Sequence, residues 1–171
     1  GLNMLLYHPA FDINHCIFRI LRLLTKLPID DHEIERIKIL DFYLLFPQEI
    51  NRMKFPRELL SFRRQIRAYE QRYEEFNDPH RIFHQLEPLQ IIALKCLASY
   101  NLIDAESLSQ GKVRRTVTPI PKDLNETIEK ANSVDSNIID LLTRSFNSIS
   151  LYGNKGLKAR TELLEYQYDP S

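Results

Sequence analysis

The sequence predicts a mainly α-helical protein with one small β-hairpin. Apolar residues recur at three- and four-residue spacings through most of the chain, which is typical of helices with one buried face. Two short apolar runs, over 102–108 and 113–118, flank a turn that contains Gly111, and together they predict the hairpin. A helix that ends near Asn101 and leads into a hairpin is the layout of a winged helix. We therefore expect a winged-helix-like domain over residues 1–121 and a helical extension packed on it over residues 122–171.

Composition indicates a globular protein with no overall attraction to polyanions. The chain has 171 residues, of which 43% are hydrophobic and 27% charged, so it can bury a core without disulfides. Lys plus Arg equals Asp plus Glu at 23 each, so any affinity for nucleic acid must come from a local patch. Cys16 and Cys96 lie in apolar helical patterns, and no segment resembles a signal peptide or a membrane span. We expect a cytoplasmic protein with both thiols reduced.

The first helix is predicted to begin after Asp12 and to run to about Lys26. Asp12 is a suitable N-cap, and Pro28 would end the helix. Its buried face is expected to comprise Ile13, Cys16, Ile17, Ile20, Leu24 and Leu27.

A second helix is predicted from Asp30, with Glu33 completing a capping box, to Phe46 before Pro47. Its last eight residues, 39–46, are apolar except for Asp41, which is typical of a helix surrounded by neighbours. An unpaired charge there is costly, so we expect Asp41 to be a structural buried charge paired with Arg19, Arg22 or Arg36. A catalytic acid is the less favoured reading, because no second carboxylate accompanies it.

The middle of the chain predicts three more helices. One begins near Pro56 and ends at Asn77-Asp78-Pro79, with a narrow apolar seam of Leu59, Phe62, Ile66, Tyr69, Tyr73 and Phe76. A short helix around Ile82, Phe83 and Leu86 precedes a longer one that opens at Glu87-Pro88 and ends near Tyr100-Asn101. The longer helix is expected to bury Leu89, Ile92, Ala93, Cys96 and Leu97. After Pro119 and Pro121, a polar helix is predicted from Asp123 to Ala131 and an amphipathic one from Ser136 to Leu151.

A run of basic residues is the strongest candidate for a binding site. Seven Lys and Arg residues lie between Arg52 and Arg72, opposed only by Glu58 and Glu70, and the hairpin adds three more. Arginine forks suit phosphates and carboxylates, so the ligand is DNA or an acidic protein, unless the residues form only a solvated face. The predicted binding residues are Arg52, Lys54, Arg57, Arg63, Arg64, Arg67, Lys112, Arg114 and Arg115. The helix before the hairpin exposes only Gln90, Lys95 and Ser99 for base contacts, which favours a protein-binding platform.

Catalytic, cofactor and metal motifs are absent from the sequence. None of the four glycines forms a phosphate-binding loop, and there is no nucleophile elbow. His80 and His84 could share a helix face with Asp78 nearby, but no cysteine or second histidine pair is available to complete a zinc site, so surface or capping roles are favoured. His8 and His15 flank Asp12, where hydrogen bonds at the helix entry are favoured over a proton shuttle. We expect no catalytic residue, no cofactor and no metal.

Three segments carry a resemblance to a known family. They are residues 4–12 (MLLYHPAFD), His15 with residues 18–21 (FRIL), and residues 39–47 (ILDFYLLFP). They resemble the small middle component of bacterial ABC-three-component systems, best over the first fifty residues and loosely through the hairpin. Such systems combine a small middle protein with an SMC-like or Rad50-like ATPase and a large component, and the resemblance implies a role in conflict with mobile genetic elements. The resemblance implies a non-enzymatic adaptor with those two partners. The residues leave open non-specific DNA contact and a homodimer, and a DNA-binding regulator is the alternative function.

Overall fold

The computed structural model describes residues 11–70 and 76–165, apart from the side chains of residues 67–70. The described chain is mainly helical, with a two-stranded antiparallel sheet of β1 (His32–Glu33) and β2 (Lys112–Val113). The helices are α1 (Ile13–Lys26), α2 (Ile34–Leu45), α3 (Arg63–Glu70), α4 (Pro79–Ser99), α5 (Ala105–Ser109), α6 (Lys122–Val134), α7 (Ser136–Asp140) and α8 (Leu157–Thr161). Two 3₁₀ helices, Pro47–Arg52 and Arg57–Phe62, link α2 to α3.

Helix α1 has the bounds that the sequence predicts. The Asp12 carboxylate accepts hydrogen bonds from the backbone N–H groups of Asn14 (2.7 Å) and His15 (3.3 Å), which confirms the N-cap. The helix buries Cys16, Ile20 and Leu24, as predicted, and packs against α4 and α2.

Helix α2 is the centre of the fold. Every residue from Ile39 to Leu44 is buried, which confirms the predicted central helix. Its predicted start at Asp30 is wrong, because His32 and Glu33 pair with Val113 and Lys112 across the sheet. The Glu33 carboxylate accepts a hydrogen bond from Arg36 Nε (2.9 Å) instead of closing a capping box. The sequence could not show this pairing, since its partner strand is almost 80 residues away.

The predicted helix that begins near Pro56 is only partly α-helical. Its first turns form the 3₁₀ helix Arg57–Phe62, and the α-helix begins at Arg63. Ile66 of the predicted seam is fully buried, and the Phe76 ring lies 4.7 Å from the Phe46 ring. The Tyr69 side chain and Tyr73 lie outside the described residues.

Helix α4 is continuous from Pro79 to Ser99, so the predicted break at Glu87-Pro88 is wrong. Contacts with α2 lie on both sides of the proline. Lys38 donates to the Glu87 carboxylate (3.0 Å), and Gln90 donates to the Lys38 carbonyl (3.1 Å). These contacts and the burial of Leu86 offset the cost of an internal proline, which is about 3 kcal/mol. The helix ends where predicted, at Asn101 with the left-handed φ of 58°.

The predicted hairpin is shorter than the sequence indicates. Ile103 forms an antiparallel bridge with Arg115, flanked by hydrogen bonds from Asp104 N to Arg114 O (2.8 Å) and from Thr116 N to Leu102 O (3.1 Å). The predicted strand over 102–108 is wrong beyond Asp104, because Asp104 caps the short helix α5. Its carboxylate accepts from Ser107 N (2.8 Å), so a local cap replaces strand pairing.

The C-terminal segments contact the central helices through polar side chains. Arg22 of α1 donates to the side chain of Asn132 (2.9 Å) and forms an ion pair with Asp135 (2.9 Å). The predicted helix from Ser136 to Leu151 is shorter: α7 passes through a π turn, Leu141–Ser145, into a 3₁₀ turn that ends at Ser148. The division of the chain between residues 121 and 122 remains a prediction. None of the described helices is both long and apolar enough to cross a membrane.

Candidate interaction surface

The basic residues of the 52–64 segment differ in whether they form ion pairs with acidic residues. Arg52 Nε lies 3.5 Å from the buried Glu49 carboxylate, and Lys54 Nζ lies 3.1 Å from the Glu162 carboxylate at the surface. Arg57 and Arg64 are exposed and pair with no acid among the described residues. Within the described part of the chain, Arg57 and Arg64 are therefore exposed cations of this segment that have no acidic partner.

Arg63 and Arg64 line the same shallow depression. Its volume is about 520 Å³, and its other lining residues are Leu60, Ser61 and Gln65. The Arg63 guanidinium lies 5.4 Å from the centre of the Phe55 ring, and its Nε is buried with no hydrogen-bond partner in the described chain. The Phe55 ring and the Arg63 guanidinium form a cation–π contact, and Arg63 and Arg64 together line one depression with two cations. The Arg67 side chain, also predicted to bind, lies outside the described residues, and so does Arg72.

The three basic residues of the hairpin have different neighbours. Arg114 Nη1 lies 3.7 Å from Asp31 and 4.0 Å from Asp30, which is long for an ion pair between exposed groups. Lys112 lies opposite Glu33 in the sheet. Arg115 is half-buried and lines a polar cleft with Lys26 and residues of α6 and α7. The structure therefore brings Arg63 and Arg64 together but places none of the hairpin cations in their depression.

Asp41 is fully buried and lies at the centre of a polar network. Arg19 donates to it through Nε (2.7 Å) and Nη2 (3.2 Å), and Gln90 donates through Nε2 (2.8 Å). The predicted exposure of Gln90 is wrong, because this contact buries its side chain. Burial alone would lower the pKa of Arg19, but the adjacent Asp41 carboxylate raises that pKa above its ordinary value. Arg22 and Arg36, the other candidate partners, pair with Asp135 and Glu33. The network joins α1, α2 and α4 and gives Asp41 a structural role.

Cys16, the cysteine nearest this network, has a buried and protonated thiol. Cys16 Sγ lies 4.0 Å from the Asp41 carboxylate and is fully buried. Burial, and then the Asp41 charge, raise the pKa of the Cys16 thiol to about 12 despite the opposing effect of Arg19. Cys16 is therefore a thiol at neutral pH, which fits its predicted role as a small buried hydrophobe.

His80 and His84 each contact another residue of the chain and also each other. His80 Nδ1 donates to the Leu163 carbonyl (2.7 Å), His84 Nδ1 lies 2.7 Å from the Glu87 carboxylate, and the two rings are 4.7 Å apart. Over residues 11–70 and 76–165, no three His, Cys, Asp or Glu side chains are arranged to hold a metal ion. The predicted contact of His8 with Asp12 lies outside the described residues.

One exposed apolar surface was not predicted from the sequence. Ile92, predicted to be buried, is 52% exposed on α4, and Tyr100 just beyond the helix is 72% exposed. Val117, in a bend that follows the hairpin, is fully exposed, so the predicted strand over 113–118 does not extend to this residue. The sequence contains one indication of this surface: residues 88–103 include a single charged residue, Lys95, although the helix has an exposed side. A charge-poor exposed face is typical of a protein interface.

A family model described as "ABC-three component (ABC-3C) system Middle Component 5" matches residues 5–169. The matched range includes the Arg63–Arg64 depression, the Asp41 network and the exposed face of α4. Comparisons with curated proteins and with solved structures gave no match.

Proposed function

Because the chain belongs to the ABC-three-component system middle component 5 family, we propose that it is a non-enzymatic adaptor that binds the other components of such a system. The family match, which spans residues 5–169 of the 171-residue chain, is the observation that carries the proposal. A middle component of a multi-component system has protein partners. We assign these partners as an SMC-like or Rad50-like ATPase and a large component, acting together against mobile genetic elements.

The arginines of the 57–64 segment support a contact with an acidic partner surface. Arg57 and Arg64 pair with no described acid, and Arg63 is held against Phe55 beside Arg64. A carboxylate of a partner could accept hydrogen bonds from these forks without breaking an ion pair with an acid of the described residues. Such contacts set the association rate and the choice of partner more than the total affinity.

The strand order supports a winged-helix-like core as part of the proposal. The 112–115 segment lies between β1 on one side and Ile103 on the other, and it follows α1, α2 and α4 in the chain. A winged helix places three helices before its wing; α1, α2 and α4 would be these three, with α3 and two 3₁₀ helices as additional elements between α2 and α4. In this chain the tip of the proposed wing is the short helix α5.

Reconstitution with the two other components tests the adaptor role. The purified chain is titrated into each component and into their mixture, and its affinity is compared with that of the variant Arg57→Glu/Arg64→Glu. We expect the wild type to bind and the double variant to bind at least about tenfold more weakly, because two favourable charge contacts become repulsive. Arg144→Glu, a charge reversal at another exposed arginine, is the control and should bind like the wild type. Failure of the wild type to bind either component would refute the adaptor role.

A DNA-binding regulator is the second candidate, because the same exposed arginines suit phosphates. In that case the chain would bind duplex DNA, and its affinity would fall steeply with salt, by about 0.9 log units per log unit of salt for each phosphate contact. Replacement of Arg63, Arg64 and Arg67 would weaken that binding. We expect weak or no DNA binding, which fluorescence anisotropy at two salt concentrations measures directly.

A further inference from the structure

The exposed side of α4 carries an apolar ridge. We use the name α4 ridge for Pro88, Ile92, Cys96 and Tyr100, which follow one another at four-residue spacing. Pro88, Ile92 and Tyr100 are exposed and Cys96 is half-buried. At 1.5 Å per residue the ridge is about 18 Å long, or three to four helical turns.

The 116–118 segment lies beside the C-terminal end of α4, where the ridge ends. The Asn101 side chain donates to Thr118 Oγ1 (2.9 Å), and the Thr116 hydroxyl donates to the Asn101 carbonyl. These bonds hold the segment against the end of α4 and leave Val117 between them, fully exposed. Ile92, Tyr100 and Val117 are thus all presented to solvent, on α4 and on a segment that is hydrogen-bonded to the residue after Tyr100.

The charges beside the α4 ridge are positive. Arg81 and Lys95 are exposed and lie seven residues before and after Pro88, so they share its face of the helix. Glu87 is the one acid within α4, and it is already engaged by Lys38 (3.0 Å) and His84 (2.7 Å). A partner seated on the ridge therefore meets one cation, Arg81, beyond the Pro88 end and a second, Lys95, between Ile92 and Tyr100.

We propose that the α4 ridge binds an amphipathic helix of another component of the system, with apolar residues against Ile92 and Tyr100 and acidic residues opposite Arg81 and Lys95. This inference rests on the proposed adaptor function. Four-residue ridges of one helix pack into the grooves of another, which favours a helical partner of at least three turns. Tyr100 supplies the large amphipathic side chain that dominates many interfaces.

The same charges argue against a second copy of this chain as the occupant. In a twofold-symmetric dimer each surface meets its own copy. Two α4 ridges in contact through their centres would bring Lys95 near the same lysine of the second copy, with no unengaged acid of α4 to offset the repulsion. An acidic partner helix removes this repulsion.

The Tyr100 end of the ridge lies away from the end of α4 that is near Lys54 and the 52–64 segment. His80, in the first turn of α4, contacts Leu163, and the neighbouring residues Arg160 and Glu162 contact Lys54. Tyr100 lies at the opposite end of α4, about 30 Å from His80 along the helix. An adaptor needs two separate surfaces, and the α4 ridge supplies one besides the Arg63–Arg64 depression.

Affinity measurements on the full chain with the purified ATPase and large component test the proposal. We expect Ile92→Asp/Tyr100→Asp to weaken binding to one component by about 30-fold or more, the usual loss at an interface hot spot. Lys95→Glu should weaken the same binding, and the loss should shrink at high salt. Val134→Asp is the matched control, because Val134 is also an exposed apolar residue (84%) but lies on α6. Circular dichroism and thermal melting confirm that each variant is folded.

Three other outcomes would each overturn the ridge proposal. If the double ridge variant binds both components like the wild type while Arg57→Glu/Arg64→Glu is impaired, the adaptor role stands and the ridge proposal is overturned. If light scattering shows that the isolated chain is a dimer and the ridge variant makes it monomeric, the occupant is a second copy and the proposal is overturned. If the wild type binds neither component, both proposals are overturned together.

Discussion

Arg19 and Asp41 form a two-pronged ion pair in the core, with Nε 2.7 Å from Oδ1 and Nη2 3.2 Å from Oδ2. The Asp41 side chain is fully buried and that of Arg19 is 8% exposed. The pair joins α1 to α2, and Gln90 extends it to α4, the helix that carries the α4 ridge. The position of the proposed interaction surface therefore depends on a polar contact inside the protein.

Removal of one member of this pair should be costly. Asp41→Ala leaves the Arg19 guanidinium buried without its carboxylate, and we expect a loss of about 3–5 kcal/mol in the free energy of unfolding. The apolar double replacement Arg19→Met/Asp41→Leu should be clearly more stable than Asp41→Ala, because no charge is stranded. Urea unfolding of the three proteins measures both differences. A loss below about 1 kcal/mol for Asp41→Ala would contradict the structural role.

The Glu33–Arg36 contact predicts a dependence of stability on pH. Burial alone would raise the pKa of Glu33, but the hydrogen bond from Arg36, a backbone hydrogen bond and the Lys112 charge together lower it below its ordinary value of 4.5. The carboxylate thus stabilises the fold fully above about pH 4.5, and this contribution is lost as the pH falls through the lower pKa of the folded state.

Glu33→Gln tests this dependence. The variant should be less stable than the wild type at pH 7, and the difference should shrink progressively below pH 4.5. Glu58→Gln, at an exposed position of a 3₁₀ helix, should match the wild type across the same range. Thermal melts between pH 3 and 7 give the comparison, and a difference that grows toward acid would show that the sign is wrong.

The two cysteines should react at very different rates. Cys16 is fully buried and its thiol has a pKa raised to about 12, whereas Cys96 is half-buried on the α4 ridge. We expect iodoacetamide at pH 8 to modify Cys96 first and to spare Cys16 in the native protein. Both should react in urea. Mass spectrometry of the labelled peptides decides the order, and equal native rates would refute the buried position of Cys16.

Gly156 should tolerate no side chain. A Cβ at this position would lie 2.3 Å from the Tyr152 carbonyl oxygen and 2.8 Å from that of Leu151, both of them backbone atoms. We expect Gly156→Ala to destabilise the protein by about 3 kcal/mol, at the upper end of what overpacking costs. At Gly111 there is open space, and only the φ of +79° opposes a side chain, so Gly111→Ala should cost about 1 kcal/mol. Equal losses would contradict the close packing of the turn before α8.

Local signals in the sequence predicted much of the fold. Asp12 and Pro28 bracket α1, the apolar run over 39–46 identified α2 as central, and Asn101 ends α4 in the left-handed conformation. These features depend on neighbours within a few residues, so the sequence contains them directly. The burial of Asp41 was predictable because a single charge interrupts the apolar run.

The features that were missed depend on distant contacts. Strand β1 exists because His32 meets Val113, and α4 passes through Pro88 because Lys38 contacts the helix on both sides of the proline. The choice of Arg19 over Arg22 as the partner of Asp41 depends on α6, which engages Arg22 through Asn132 and Asp135. Ile92 was placed in the core because periodicity shows which residues share a face but not which of two adjacent faces is covered.

The central claim, that this chain is an adaptor, is tested most directly by native mass spectrometry of the purified chain mixed with the ATPase and the large component. We predict a complex that contains all three proteins and that loses this chain when Ile92→Asp/Tyr100→Asp and Arg57→Glu/Arg64→Glu are combined. A chain that stays free of both components, yet binds duplex DNA with a steep salt dependence, would contradict the claim and favour the regulator.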